Sequence, residues 1–73
     1  MNEYKTGDII QYNRNSFSCR GFLTVMIMKS WYRGGAYGYT VYTLLDEAGY
    51  LKKGDVHFLS ASRVKFYELR SSQ

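Results

Sequence analysis

The chain has 73 residues, a formal net charge of +4 and 45% hydrophobic residues, and a chain of this length forms one domain whose core contributes about 3–5 kcal/mol of net stability. Cys19 is its one cysteine, which excludes an intrachain disulfide and a cysteine-cluster metal site and suits a reducing cytoplasm. The opening MNEYKTGD lacks a signal-peptide pattern, and the apolar run FLTVMIM is too short to cross a membrane. We therefore expect a cytoplasmic protein without a membrane partner.

Strand-like segments recur along the chain, whereas no window of eleven residues carries the apolar spacing of an amphipathic helix. The segments are rich in Val, Ile, Tyr, Phe and Thr and are separated by Gly, Asn, Ser and Asp. The predicted strands lie near 8–12, 20–32, 39–45, 55–59 and 63–69. Glycines at 33–38 predict a turn with positive φ, and the segment 60–62 predicts the start of a short 3₁₀ turn.

Five short strands are too few for a two-layer sandwich but suit a small bent barrel, which removes exposed strand edges. The segments KTGDIIQY, RGFLTV, YTVYTLLDEAG and LSASRVKFYEL resemble the SH3-like small barrels of the KOW and Tudor type. The resemblance covers nearly the whole chain. It implies an all-β fold in which residues 1–73 form a single five-stranded SH3-like barrel, with a short 3₁₀ turn before the last strand.

The Tudor resemblance also raises the question of an aromatic cage for methylated cations. In that family an aromatic residue follows the acidic residue in the turn after the third strand. Here the turn reads Asp46-Glu47-Ala48-Gly49, and the next aromatic is Tyr50. We therefore do not predict a cage.

The second predicted strand is apolar on both faces, because alternate residues of a strand point to opposite sides. One face carries Leu23, Val25 and Ile27, and the other carries Met26 and Met28. Two interpretations stay open. Bending of the strand could cover both faces with loops, or the second face could pack on another molecule, such as a second copy of the chain.

Strand alternation also predicts which side chains form the core. The residues predicted inside are Ile9, Val25, Ile27, Val41, Val56, Phe58, Val64 and Phe66. The residues predicted to face outward are Tyr42, His57, Lys65 and Tyr67.

The residues that carry chemistry are few and do not form a catalytic pattern. Cys19 and His57 could meet in space as a nucleophile and its base, but a single Cys beside an apolar strand is typical of a small buried hydrophobe. One His and one Cys cannot hold a metal without carboxylates at ligand spacing. Asp46 and Glu47 are adjacent and suit a turn. We predict no enzyme, no metal and no cofactor.

Basic charge and aromatic content favour a binding domain with an anionic partner. The chain has ten Lys or Arg residues and eight Tyr, which suit contact with phosphates and stacking on bases. We therefore predict a small, non-enzymatic regulatory domain that binds DNA or RNA through a basic and aromatic surface. The predicted binding residues are Trp31, Tyr32, Arg33, Tyr37, Tyr42, Lys52, Lys53, Arg63 and Lys65.

A protein-interaction module or inhibitor is the alternative function. It would act through the apolar face of the second strand and the hairpin tip at 31–37, because Trp, Tyr and Arg are enriched at binding hot spots. Its partner would be an acidic protein surface or, in a homodimer, a second copy of the chain. The size and composition also suit a virus-encoded regulator.

Overall fold

Five strands form one antiparallel sheet in the computed structural model, which describes residues 4–15, 17–18 and 20–72. The elements are β1 (Ile9–Asn15), β2 (Arg20–Arg33), β3 (Ala36–Asp46), β4 (Val56–Ser60), α1 (Ala61–Val64) and β5 (Glu68–Ser71). The predicted all-β class is confirmed. Cys19 lies outside the described residues, so its burial as a small hydrophobe stays a prediction.

The strand order across the sheet is β4-β3-β2-β1-β5. The first four strands lie side by side in the sheet in the same order as in the sequence. The chain after β4 then crosses through α1 to the opposite edge of the sheet, where β5 pairs with β1. Among the described residues β4 and β5 do not pair with each other, so the sheet is open between them. Within the same ranges, none of the helical structure has the length and apolar character that crossing a membrane requires.

The β2–β3 hairpin is longer than the sequence predicted. Pairing continues to Arg33 opposite Ala36, and a two-residue turn at Gly34 and Gly35 connects the strands. Both turn residues have positive φ, 59° and 83°, which is the backbone of a type I′ turn and favours glycine. The predicted six-residue turn over 33–38 is therefore wrong, and β3 begins at Ala36.

A β-bulge at Met28 changes which way the distal half of β2 faces. Ile27 lies opposite Val41, but Lys29 lies opposite Thr40, so Met28 is an extra residue on its strand. In a regular strand Ile27 and Lys29 would share a face, because they are two positions apart. The bulge instead places Lys29 on the face of Thr40, which is the side opposite to Ile27 and Val41. The bulge thereby divides β2 into two halves with opposite alternation.

The core lies on one side of the sheet, which we call the inner face; the other side is the outer face. The buried hydrophobic residues are Tyr4, Ile10, Leu23, Val25, Ile27, Tyr39, Val41, Leu59, Val64 and Tyr67. The predicted burial of Val25, Ile27, Val41 and Val64 is confirmed. Ile9 was predicted inside, but it lies opposite Met26 and is half-buried, while the next residue along the chain occupies the core.

The predicted orientation of β4 is wrong by one residue. His57 lies opposite Val41 and Leu59 opposite Tyr39, which places both on the inner face. Val56 is 54% exposed and Phe58 is 48% exposed. A shift of one residue exchanges the two faces of a strand, and the apolar residues of β4 occupy both sets of positions.

The last predicted strand, 63–69, is also corrected. Its first half belongs to α1 and to the turn after it, in which the N–H groups of Phe66 and Tyr67 donate to the carbonyls of Arg63 and Val64. Strand alternation does not hold through a helical turn. Phe66, predicted inside, is therefore 62% exposed, and Tyr67, predicted outside, is 8% exposed.

Candidate functional site

A groove of about 440 Å³ lies between the distal half of the β2–β3 hairpin and the segment that precedes β1. Its lining residues are Tyr4, Lys5, Ser30, Trp31, Tyr32, Tyr37, Gly38 and Tyr39. We call it the tyrosine groove. Its volume falls in the range of small-molecule and cofactor sites, about 300–1,000 Å³.

The strand register determines which hairpin side chains face this groove. Tyr32 lies opposite Tyr37, and Ser30 lies opposite Tyr39. Residues directly opposite each other in an antiparallel pair point to the same face, and Tyr39 is in the core. The bulge at Met28 therefore brings Tyr32 onto the inner face, where the residue is 74% exposed.

The floor of the groove is held rigidly by tyrosine contacts. The rings of Tyr4 and Tyr39 meet edge to face with centroids 5.9 Å apart, and those of Tyr37 and Tyr39 do so at 6.2 Å. The backbone N–H of Tyr4 donates to the hydroxyl of Tyr39 at 3.1 Å, and the Tyr4 hydroxyl donates to the carbonyl of Tyr67 at 3.4 Å. These contacts fix the floor, whereas the ring of Tyr32 stays exposed.

Lys5 is the charged side chain among the described lining residues. Its backbone N–H donates to the carboxylate of Asp8 at 2.8 Å, which fixes the turn that carries it, while Lys5 itself is exposed. Burial, followed by the neighbouring Tyr39 and Asp8, raises the pKa of the Tyr4 hydroxyl above its usual value. The groove therefore combines neutral aromatic rings with one positive charge.

The predicted hairpin site is divided between two faces. Tyr32 and Tyr37 lie in the groove, whereas the ring of Trp31 stacks on Phe58 of β4, with centroids 4.6 Å apart and planes 27° apart. Trp31 therefore borders the groove but places its ring on the outer face. Arg33 pairs with Ala36 on that same outer side of the hairpin tip and is exposed.

The other predicted binding residues do not lie beside the groove. Tyr42 is half-buried on the outer face between Met26 and Val56. Lys52 and Lys53 are exposed in the turn that follows β3, at the end of the strand opposite the hairpin tip.

Two further predicted cations belong to the crossing segment between the sheet edges. Arg63 is exposed on α1, and Lys65 follows α1 with its ammonium 5.4 Å from the centroid of the Phe66 ring. The predicted basic residues are thus spread over separate parts of the molecule rather than collected on one surface.

Sequence reasoning missed Tyr4 and Lys5. Both precede β1, where strand alternation gives no orientation, and Tyr4 reaches a hydrogen-bond partner 35 positions along the chain. The available cue was an aromatic residue beside a lysine in an otherwise polar opening segment. That cue does not show which part of the fold the segment packs against.

A charged pair lies inside the fold, away from the groove. The buried carboxylate of Asp46 accepts hydrogen bonds from the Arg14 guanidinium, from the Leu51 N–H at 2.8 Å and from the Ala48 N–H at 3.1 Å. Burial alone would raise the pKa of this carboxyl, but the bonds from Arg14, Leu51 and Ala48 outweigh it and hold the pKa below the usual 3.8. The pair fixes the end of β3.

His57 was predicted to face solvent, but it lies half-buried on the inner face of β4. Its Nδ1 and the hydroxyl of Thr43 are buried without a hydrogen-bond partner among the described residues. Burial lowers the pKa of His57 below its usual 6.5, so the ring is neutral at physiological pH.

Comparison with known proteins gave no match: no protein-family model, curated protein or solved structure matches this chain. Within the part of the chain that the structure describes, no three His, Cys, Asp or Glu side chains are grouped to hold a metal ion.

Proposed function

We propose that the chain is a non-enzymatic domain that binds single-stranded nucleic acid in the tyrosine groove. The observation that carries the proposal is the exposed ring of Tyr32 beside Tyr37, over a fixed tyrosine floor and next to Lys5. A base stacked on an aromatic side chain contributes about 1–3 kcal/mol, and a lysine beside it provides a contact for phosphate. The net charge of +4 favours the approach of a polyanion.

The charge of the groove favours a nucleotide over a methylated cation. Cages for quaternary ammonium groups use the negative faces of aromatic rings, and a lysine at the rim opposes a second positive charge. The rings of Tyr32 and Tyr37 suit a base, while Lys5 suits the phosphate attached to it.

Distribution of the cations favours a single strand over a duplex. Duplex backbones are followed by a continuous basic stripe, but Lys53 and Arg63 lie on separate connections, one after β3 and one on α1. A single strand needs one stacking platform and a few phosphate contacts, and its unpaired bases are free to enter the groove.

We further infer that the fold is an SH3-like small barrel of the KOW and Tudor type. The strand order β4-β3-β2-β1-β5 and the helical turn between β4 and β5 support this relationship, whereas β4 and β5 do not pair to close the barrel among the described residues. Small barrels of this kind carry binding sites on their hairpins and loops, because a rigid sheet positions those segments.

Fluorescence anisotropy with labelled oligothymidine and oligouridine tests the proposal at about 50 mM salt, where phosphate contacts are strong. We expect Tyr32→Ala to weaken binding by about fivefold to 150-fold, the equivalent of one lost stack. Tyr50→Ala is the matched control, because Tyr50 is also exposed but lies outside the groove. Absence of binding, or equal loss in both variants, contradicts the proposal.

The salt dependence of the same binding identifies the phosphate contact. Each phosphate contact to a single strand adds about 0.7 to the slope of log affinity against log salt, so Lys5→Ala should reduce that slope by about 0.7. Lys53→Ala, which removes an exposed lysine distant from the groove, should leave it unchanged. The opposite order would place the phosphate on the turn after β3.

A further inference from the structure

The outer face of the β2–β3 hairpin carries a row of side chains that the tyrosine groove does not explain. Beyond the bulge at Met28, the alternate residues Lys29, Trp31 and Arg33 share this face. Alternate residues of a strand lie about 6.6 Å apart, so the indole has a cation on each side of it along the strand. Lys29 and Arg33 are exposed, and Trp31 is half-buried. We call these three residues the outer basic row.

The segments that form this surface contain no acidic residue. The sequence has no Asp or Glu from 28 to 45, which includes the distal half of the hairpin, or from 56 to 67, which includes β4 and α1. Asp55 precedes β4, and its carbonyl accepts from the N–H of Thr43 near the other end of β3. The outer basic row therefore attracts a polyanion, whereas a second copy of this chain would bring the same two cations against it.

Trp31 provides a fixed stacking surface within the outer basic row. Its ring stacks on that of Phe58 with centroids 4.6 Å apart, and the Phe58 ring also covers Gly38, the residue opposite Trp31. These contacts restrict the indole before a ligand arrives, so stacking a base on it costs little side-chain freedom. Because Trp31 is half-buried rather than buried, part of the indole stays accessible.

The free edge of β2 connects the outer basic row to the groove. Pairing of β1 with β2 ends at Met26, so among the described residues no strand lies along the edge of β2 from Lys29 to Arg33. Tyr32 lies in the groove on the inner side of this edge, and Trp31 places its ring on the outer side. A single backbone strand therefore separates the two surfaces, and an extended ligand can pass from one to the other.

We propose that the single strand bound in the tyrosine groove continues across the free edge of β2 onto the outer basic row. One of its bases stacks on Trp31, and the phosphates on either side of that base contact Lys29 and Arg33. This inference rests on the proposed function and extends it, because it makes the ligand an oligonucleotide that occupies both faces of the hairpin. The groove alone would hold one nucleotide.

The emission of Trp31 reports directly on the outer basic row, because Trp31 is the one tryptophan of the chain. A base that stacks on an indole quenches its fluorescence. We expect an unlabelled ten-nucleotide oligothymidine to quench the emission of the full chain at about 50 mM salt, over the concentrations at which a labelled copy binds in fluorescence anisotropy. Binding without quenching overturns this inference and leaves the proposed function standing, whereas absence of binding overturns both.

Two variants test the phosphate contacts of the outer basic row. Each contact to a single strand adds about 0.7 to the slope of log affinity against log salt, so Lys29→Ala and Arg33→Ala should each reduce the slope for the ten-nucleotide strand by about 0.7. Arg20→Ala is the matched control, because Arg20 is an exposed arginine at the opposite end of β2, and it should leave the slope unchanged. Circular dichroism checks that each variant is folded. An equal reduction by Arg20→Ala, or none by the other two, overturns the inference.

An acidic protein segment is the other polyanion that the charge of the outer basic row would fit. A peptide of ten glutamates carries negative charge without bases, so it should leave the emission of Trp31 unchanged at the same salt concentration. Quenching by this peptide equal to that by oligothymidine would overturn the proposal and assign the outer basic row to an acidic protein partner.

Discussion

At the scale of single residues, Asp46 shows how one buried carboxylate stabilises the fold. Its oxygens accept from Arg14 and from two backbone N–H groups in the turn after β3. Hydrogen bonds to a charged group are stronger than neutral ones. A chain of this size has a small core, so breaking this buried pair should cost a large share of its net stability.

Asp46→Asn should lower the free energy of unfolding by about 1.5–3 kcal/mol at pH 7, because an amide replaces a charged acceptor. The pKa of Asp46 is lowered in the folded state, so its contribution is present above the usual 3.8 and is lost as pH falls through the folded value. Urea unfolding at pH 7 and near pH 3 measures the change, which should shrink in acid.

Asp55→Asn is the control for this substitution, because Asp55 is exposed and accepts from the N–H of Lys52. It should lose clearly less stability than Asp46→Asn. An unchanged loss for Asp46→Asn in acid, or an equal loss at Asp55, would show that the charge of Asp46 is not what stabilises the turn.

Individual side chains mark where prediction from sequence succeeded and where it failed. Val25, Ile27 and Val41 were placed correctly because the strand pairing is regular between Val25 and Ile27, and both irregularities of β2 lie outside this stretch. The predicted orientations of Phe66 and Tyr67 are the reverse of the observed ones, because a single helical turn is too short to show in the apolar pattern.

At the scale of elements, the β2–β3 hairpin places aromatic side chains on both faces of the sheet. Its bulge at Met28 turns Tyr32 toward the groove and Trp31 toward the outer face. Gly38, opposite Trp31, leaves a gap in the side chains of β3, and the ring of Phe58 covers it. Aromatic cover of a strand glycine is a recognised way to stabilise a sheet.

Gly38→Ala should destabilise the protein by about 1–3 kcal/mol, the usual cost of overfilling a packed site. A Cβ there would lie 2.6 Å from the Phe58 ring and 2.9 Å from the carbonyl oxygen of Leu59. The ring could move but the backbone could not, so the Trp31–Phe58 stack should also be lost. Thermal unfolding and tryptophan fluorescence measure the two effects.

Thr40→Ala is the control for that prediction, since Thr40 lies on the same face of β3 opposite Phe58. It removes atoms rather than adding them and should leave the tryptophan emission unchanged. Wild-type stability and emission in Gly38→Ala would show that the stack tolerates a side chain beneath it.

The number of strands was predictable from the sequence, but which alternate residues of a strand face the core was not. Both sets of alternate positions in VHFLS contain apolar residues, so periodicity could not decide that His57 and Leu59 face inward. Pairing with β3 decides it, and pairing is a property of the folded chain. The glycines at 34 and 35 were correctly assigned to a turn, but its two-residue length depended on the register of Tyr32 with Tyr37.

At the scale of the whole molecule, the two sheet faces have different chemistry. The inner side carries the tyrosine groove with Lys5, and the outer side carries the exposed apolar side chains of Val56 and Phe58. The amino-acid composition shows that the chain is basic and rich in aromatic residues, but it does not show how these residues divide between the two faces of the sheet. The groove joins the opening segment to a hairpin more than twenty residues away, and no local pattern encodes that contact.

The claim that the tyrosine groove binds single-stranded nucleic acid is tested most directly by NMR titration of the isotope-labelled chain with unlabelled oligothymidine. We predict that the amide shifts concentrate at residues 4–5, 30–32 and 37–39, which line the groove. Tyr32→Ala should reduce those shifts clearly at the same oligonucleotide concentration. Shifts that concentrate instead at Lys52, Lys53 and α1, or no shifts at low salt, would contradict the claim.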